Sequence, residues 1–166
     1  MPVMGYEGLY EVSDLGRVRS VERVVVRSNG VTQKVAASIR ATAPKQSGHL
    51  CLTLYRDGHG RRFQVHCLML ESFVGPRPPG LQGLHWDDDP TNNDLANLRW
   101  GTPGDNRRDE VRNGNHFWAN KTHCPRGHPY DDVNTVHSKS GRECRICTAR
   151  SRREWRQRNP KRRATA

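Results

Sequence analysis

The first third of the chain alternates short apolar runs with turn-forming residues. Residues 5–20 place glycines and other turn formers between short apolar stretches, which favours short strands over a helix. Asn29-Gly30 stands between the β-branched runs 18–27 and 31–35, and this dipeptide in such a setting is a strong hairpin signal. The pattern predicts a small β-rich module over residues 1–48.

The next segment predicts a second hairpin and a short helix. Alternating leucines over 50–54 lead to the turn Asp57-Gly58, and residues 62–65 read as the returning strand. The apolar density of residues 66–73 indicates a short buried helix. The glycine- and proline-rich segment 75–80 cannot continue that helix and predicts its end.

Two short strands and a capped helix are predicted after this loop. Residues 81–86 and 98–101 are read as strands joined by a long polar loop. Thr102 offers a capping hydroxyl, Pro103 occupies the first helical position, and Asp105 places a carboxylate three residues after the cap. A helix over 103–112 is therefore predicted.

This order of strand, loop, strand and helix carries His85, Asn97 and Asn106. With their surroundings, from Val65-His66 to Trp100-Gly101-Thr102, they resemble the phage-type HNH endonucleases. The stretch 5–20 likewise resembles the nuclease-associated modular motif that accompanies phage and intron-encoded HNH homing endonucleases and contacts DNA. The resemblance implies a ββα-metal (His-Me finger) nuclease core, which we place over residues 49–115.

The chemistry of phosphodiester hydrolysis fits these residue types. A neutral imidazole with a pKa of about 6.5 is suited to take a proton from water, and we assign His85 that role. The scissile phosphate also needs a hard cation, Mg²⁺ or Mn²⁺, which prefers oxygen ligands. We assign Asn106 to this metal, and the resemblance implies that Asn97 hydrogen-bonds the loop and supports the site.

One position departs from the family pattern. Some homing relatives carry an aspartate just before the histidine as a second metal ligand, and this chain has Leu84 there. Either Asn106 holds the ion with waters and phosphate oxygens, or Asp87 or Asp105 substitutes. His66 is read as a packed or capping histidine, with contact to DNA or to the metal loop as the alternative.

A second metal site is predicted over residues 116–147. Cys124, His128, Cys144 and Cys147 form a C-x3-H and a C-x2-C pair, which is the layout of a closed tetrahedral Zn²⁺ site. The segment is also similar to a short zinc motif often appended to phage HNH proteins. His123 and His137 are alternatives with poorer spacing. The other two cysteines, Cys51 and Cys67, lie among apolar neighbours and are read as core residues.

Charge is concentrated at the C-terminal end of the chain. The formal net charge is +11, and residues 120–166 hold 13 Lys and Arg against 4 Asp and Glu. A helix is predicted over 148–158 within a basic tail, 148–166. Such a concentration suits a polyanion, because neutralised phosphates release counterions; a solvated tail that only aids solubility is the alternative. The candidate DNA-contacting residues are Arg17, Arg19, Arg99, Arg107, Arg150, Arg152, Arg153 and Arg156.

These expectations combine into an α+β protein with a β-rich N-terminal module, a ββα-metal core and a C-terminal zinc-bound segment with a basic helix. No apolar run is long enough to span a bilayer and no signal-peptide pattern opens the chain, so a cytoplasmic location is expected, in the host cell if the chain is phage-encoded.

The predicted function is metal-dependent cleavage of double-stranded DNA by a monomer or homodimer. The alternative is a non-catalytic DNA-binding protein, a regulator or packaging accessory, on a degenerate HNH fold. An RNA-binding zinc protein lacks support, because no aromatic stacking motif is present.

Overall fold

The computed structural model describes residues 1–139 and 141–160, and the chain divides after Asn115 into two compact units. We call them the N unit (Met1–Asn115) and the C unit (from His116). Residues 161–166 of the predicted basic tail lie outside the described residues.

The strands of the N unit are β1 (Tyr10–Val12), β2 (Val18–Ser20), β3 (Arg23–Val26), β4 (Thr32–Val35), β5 (Ser38–Ile39), β6 (Ala43–Pro44), β7 (Leu50–Arg56), β8 (His59–Gln64), β9 (Gln82–His85) and β10 (Leu98–Gly101). Its helices are α1 (Val65–Phe73) and α2 (Pro103–Arg112), with a 3₁₀ turn at Leu95–Asn97.

Small antiparallel sheets build the N-terminal part, as the alternation of apolar runs and turns predicts. The sheets have the orders β1-β2-β5, β3-β4 and β6-β7-β8. The hairpin around Asn29-Gly30 is confirmed as β3-β4, with Val26 opposite Thr32. The run 18–27, predicted as one strand, is divided between β2 and β3, and β2 pairs with β1 instead.

The core of the N unit lies where α1 packs against β7 and β8. Leu54, Met69 and Leu70 are fully buried there, and the valines of β1 and β2 belong to the same cluster. Tyr6 joins the N-terminal strands to this core through an edge-on contact with Phe63 of β8, at 5.5 Å between ring centroids. The N-terminal strands and the hairpin-helix segment therefore share one core.

The segment β9-β10-α2 has the predicted order of strand, strand and helix. β9 and β10 are antiparallel, and His85 lies opposite Leu98. The capping box of α2 is confirmed: the Thr102 hydroxyl accepts from the Asp105 backbone N–H, and the Asp105 carboxylate accepts from the Thr102 N–H at 2.8 Å. The helix therefore begins at Pro103.

The N-terminal strands also brace the loop between β9 and β10. The Leu95 N–H donates to the Asp14 carbonyl at 2.8 Å. Gly16 has a φ of +71°, and a Cβ there would lie 2.7 Å from the Cβ of Asn93. A glycine is thus required at this turn both by the backbone and by the closeness of the loop.

The C unit contains the strands β11 (Thr135–Ser138) and β12 (Gly141–Cys144) and the helix α3 (Arg145–Arg158). The two strands form an antiparallel hairpin in which Thr135 lies opposite Cys144. The predicted helix is confirmed, but it begins three residues earlier than the expected start at Thr148. The Cys144 side chain caps it by accepting from the Cys147 N–H, so Cys147 lies in the first helical turn.

No helix among residues 1–139 and 141–160 is both long and apolar enough to cross a membrane.

Candidate active site and zinc centre

His85 ends β9 at the edge of an open cleft of about 400 Å³ in the N unit. The cleft is lined by Ser47, His49, Gly83, His85, Asp88, Pro90, Asn106, Glu110 and Asn115. His85 itself is 6% exposed. The sequence therefore brings two of its three candidate catalytic residues, His85 and Asn106, into one cleft.

The surroundings of His85 favour its neutral form. Burial lowers the pKa of His85 below its ordinary value of 6.5, whereas the Asn93 amide and the nearby carboxylate of Asp87 act in the opposite direction. Because burial prevails, the imidazole is uncharged at neutral pH. A neutral imidazole is the form that accepts a proton.

Asn97 holds the loop that follows His85. Its Oδ1 accepts from the Asp87 N–H at 3.2 Å, and its Nδ2 donates to Asp87 Oδ1 and to the Asn92 carbonyl, both at 2.9 Å. Its own carbonyl accepts from the Trp86 N–H at 2.8 Å. The side chain thus faces the loop, not the cleft, and fixes Asp87 and Asn92, while the backbone carbonyl holds Trp86.

Asn106 and Glu110 lie one turn apart on α2 and both line the cleft. Asn106 Nδ2 donates to Glu110 Oε1 at 2.7 Å. This bond orients the Asn106 amide, so that its Oδ1 remains as an acceptor or metal ligand. The two side chains together offer amide and carboxylate oxygens, the donors that suit a hard divalent cation.

The structure places the other two candidate carboxylates outside the cleft. Desolvation raises the pKa of Asp87, but the hydrogen bonds that it accepts within its own loop from Asp89, Asn92 and Asn97 together hold that pKa below the usual value. Asp105 is engaged by Thr102 and Arg108, and the Thr102 bonds are the main cause that lowers its pKa to about 2. Both carboxylates already have their hydrogen-bond partners.

Leu84, at the position of the missing carboxylate, is a core residue. It is 2% exposed, and its Cδ1 would lie 2.5 Å from a Cβ at Gly101. A charged side chain there would be buried against β10. Leu84 offers no ligand atom, and the carboxylates that line the cleft come from Asp88 and Glu110.

Sequence reasoning missed Glu110, Asp88 and His49 as cleft residues. Glu110 was within reach of sequence analysis, because it follows Asn106 by four positions on a predicted helix and so shares its face. Asp88 has a φ of +61°, a left-handed backbone conformation that no pattern in the sequence predicted. His49 reaches the cleft through the pairing of β6 with β7, which is long-range information.

The four predicted zinc ligands converge in the C unit. The Cys124 Sγ lies 3.4 Å from the His128 Nδ1 and 3.6 Å from the Cys147 Sγ, and the His128 Nδ1 lies 3.3 Å from the Cys147 Sγ and 3.6 Å from the Cys144 Sγ. A tetrahedral Zn²⁺ site has ligand separations of about 3.4 to 3.8 Å. The donor set and its spacing therefore fit zinc with no position left open.

Asn134 supports this cluster from behind. It is 5% exposed, its Nδ2 donates to the Cys144 Sγ at 3.3 Å, and its Oδ1 accepts from the Ile146 N–H at 3.1 Å. The Cys147 N–H also donates to the Cys144 Sγ, at 3.4 Å. Such bonds stabilise a thiolate and fix the direction of its lone pairs.

The candidate DNA-contacting arginines have different surroundings. Arg99 pairs with the buried Asp109 and stacks on Trp86 at 4.7 Å, whereas Arg19 pairs with Glu11 at 2.6 Å. Arg150 pairs with Glu154 at 2.8 Å on α3. The remaining ones, Arg17, Arg107, Arg152, Arg153 and Arg156, are exposed.

The two-stranded sheet followed by a helix, with His85 at the strand end and Asn106 on the helix, is the architecture of a ββα-metal nuclease core. Residues 63–108 match the family model described as HNH endonuclease, and residues 1–54 match the NUMOD4 motif. Residues 63–108 are therefore similar to HNH endonucleases, and the segment before them is similar to the NUMOD4 motif.

The chain is similar to the DNA endonuclease I-HmuI of Bacillus phage SP01. The two are 32% identical over 112 residues, which cover 68% of this chain and 57% of the relative. A solved structure described as "DNA binding and cleavage by the HNH homing endonuclease I-HmuI" matches with a TM-score of 0.55 and 30% identity, and covers 69% of this chain and 59% of that one. The chain thus spans less than two thirds of the relative it matches.

Proposed function

We propose that the protein is a divalent-metal-dependent endonuclease that hydrolyses phosphodiester bonds of double-stranded DNA. The observation that carries the proposal is the cleft in which the neutral, buried His85 faces the oxygen donors of Asn106 and Glu110. A proton acceptor beside hard-cation ligands is what hydrolysis of a phosphodiester requires.

His85 is the general base in this proposal. It takes a proton from the attacking water, and its low pKa keeps it ready to do so at neutral pH. Asn97 is a positioning residue, because it contacts the loop after His85 and not the cleft. It holds the strand end that carries the base.

Asn106 and Glu110 would hold the catalytic cation, Mg²⁺ or Mn²⁺. Their oxygens fit a hard ion, and Glu110 supplies the carboxylate that Leu84 does not. When bound, the ion would stabilise the negative charge that develops on the leaving oxygen. Asp87 and Asp105 are poorer ligands, since hydrogen bonds within the protein already engage both.

Double-stranded DNA is the proposed substrate. The matched relative is named a DNA endonuclease, and this chain carries a net charge of +11. The exposed arginines of α3 and the zinc-bound C unit would contact phosphates and raise affinity without reading sequence. The Zn²⁺ is structural in this proposal, because four protein ligands leave it no open position.

One observation favours a second candidate function, a DNA-binding protein without catalysis. Leu84 offers no ligand atom, and a cation held by Asn106 alone would be weakly bound. Glu110 opposes this reading, because it restores a carboxylate to the cleft.

Supercoiled plasmid incubated with the purified protein tests the proposal. We expect nicked or linear DNA with Mg²⁺ or Mn²⁺ and none in EDTA, and the product form reports a nick or a double-strand break. The second candidate would be favoured if the protein binds the plasmid but leaves it supercoiled with either metal. The same result is required with a plasmid that carries the protein's natural DNA target site.

A further inference from the structure

Three histidines from three different elements converge beside the cleft of the N unit. His49 directly precedes β7, His66 is the second residue of α1, and His85 ends β9. One ring nitrogen of each lies within 4.8 Å of one on each of the other two rings. The ring centroids of His66 and His85 are 4.8 Å apart. The centroid of His49 lies 4.9 Å from that of His66 and 5.5 Å from that of His85.

Two of these rings are buried with an unsatisfied nitrogen. His66 is 3% and His85 is 6% exposed, and the His66 Nδ1 and His85 Nε2 make no hydrogen bond to any described residue. A buried polar atom without a partner costs stability. Packing alone would be served better by an apolar side chain, so His66, which has no part in the proposed reaction, calls for another explanation.

The backbone of β9 leaves room for the buried ring. A Cβ at Gly83 would lie 2.6 Å from the Cδ2 of His66 and 3.2 Å from its Nε2. Glycine at this position therefore lets the imidazole lie directly against the strand. The third ring, His49, is half-buried, and its Nδ1 bonds the Ser47 hydroxyl at 2.9 Å, so its Nε2 is available.

We propose that His49, His66 and His85 bind one divalent transition-metal ion of the zinc, cobalt or nickel type, and that this ion inhibits the nuclease. Imidazole nitrogens suit these metals, whereas Mg²⁺ and Mn²⁺ are better served by the oxygens of Asn106 and Glu110. Three histidines leave one position for a water. The inhibition rests on the proposed function, because it follows from His85 being the base.

Binding needs only a small movement and no redox chemistry. Metal–nitrogen bonds of about 2.1 Å in a tetrahedral site bring the nitrogens to about 3.4 Å from one another. The nitrogens already lie within 4.8 Å of one another, and His49 is the least buried of the three rings. Burial lowers the pKa of all three imidazoles, that of His66 to about 3, so their lone pairs are free at neutral pH. Each ring then replaces a water of the hydrated ion.

The experiment titrates Co²⁺ into the full chain after the cysteine site has been loaded with Zn²⁺. We expect one further Co²⁺ per chain, with visible d–d bands and without the near-ultraviolet charge-transfer band of a cobalt thiolate. His49→Ala should weaken this binding at least about tenfold, since even outer-shell changes cost that much. The matched control is His59→Ala, at the exposed start of β8. His49→Gln, which retains the side-chain volume, serves if His49→Ala folds poorly.

Cleavage in excess Mg²⁺ gives a second readout. Added Zn²⁺ should slow the parent and His59→Ala alike, and His49→Ala should need at least about ten times more Zn²⁺ for the same fractional inhibition. If the parent takes up no further Co²⁺, or if both variants bind it equally, the metal site is refuted. If Co²⁺ binds as described but the parent does not cleave DNA, the site stands and the proposed nuclease function fails.

Discussion

The candidate zinc centre and the candidate site of the catalytic cation differ in how completely the chain surrounds the ion. In the C unit three cysteine sulfurs and one imidazole nitrogen lie within 3.3 to 3.6 Å of their neighbours, and Asn134 and the Cys147 N–H fix the Cys144 thiolate. In the N unit, two oxygen-bearing side chains of α2 face an open cleft of about 400 Å³. The first arrangement suits structure, since nothing else can enter; the second leaves positions for water and a phosphate.

The difference also appears in what each centre does for folding. The N unit has a hydrophobic core around α1 and β7 that does not include the cleft. Among its described residues the C unit buries little apart from Cys124, Asn134 and Cys144. We therefore expect removal of zinc to unfold the C unit and removal of the catalytic cation to leave the N unit intact.

The largest expected effect is that of Cys144→Ser. Structural zinc contributes about 10 to 16 kcal/mol to small domains of this kind, so loss of one ligand should release the ion and unfold the C unit. Elemental analysis and amide NMR spectra measure this. Cys67→Ser is the control, because Cys67 is a free, half-buried cysteine of the N unit. If the purified, folded parent protein contains no bound zinc, the structural role of zinc in the C unit is contradicted.

Glu110→Gln should change the cleft without changing the fold. The amide still accepts from Asn106 but has no charge, so we expect the Mg²⁺ concentration for half-maximal cleavage to rise at least about tenfold. The control is Glu22→Gln, an exposed carboxylate paired with Lys34 at 2.9 Å in the same unit. An unchanged Mg²⁺ dependence would remove Glu110 from the metal site.

Asn97→Ala and Asn97→Asp should both reduce the maximal cleavage rate, by about 10- to 100-fold, with DNA affinity unchanged. The aspartate has the same size but cannot donate, and it would face the Asp87 carboxylate. Single-turnover rates and binding isotherms separate the two quantities. If Asn97→Asp cleaves like the parent, Asn97 does not act through these hydrogen bonds.

The smallest effect is expected on α3. Arg152→Gln should lower DNA affinity slightly and reduce the slope of log K against log salt by about 0.9 if the residue contacts one phosphate. Arg150→Gln should change it less, because Arg150 is paired with Glu154. Equal slopes for the parent and both variants would remove α3 from the DNA interface.

Local signals allowed much of this structure to be predicted from the sequence. The capping residues Thr102 and Asp105 predicted the start of α2, Asn29-Gly30 predicted the β3-β4 hairpin, and the cysteine spacing predicted the ligand cluster. Each depends on residues close together in the chain.

The features that were missed depend on long-range or unusual geometry. The break of the run 18–27 follows from the pairing of β2 with β1 and β5, and the approach of His49 to His85 follows from the β6-β7 pairing. The engagement of Asp87 by Asn92 and Asn97 is a property of the folded loop. A spacing rule could suggest Asp87 as a ligand but could not show that its oxygens were already bonded.

The measurement that tests the central claim most directly compares His85→Ala with the parent on the same DNA, for both binding and cleavage. We predict that the variant binds DNA as the parent does and cleaves it about 10² to 10⁴ times more slowly, since a base acts in the transition state and not in binding. The exposed His59→Ala should cleave normally. Cleavage by His85→Ala at the parental rate would contradict the assignment of His85 as the base and, with it, the proposed active site.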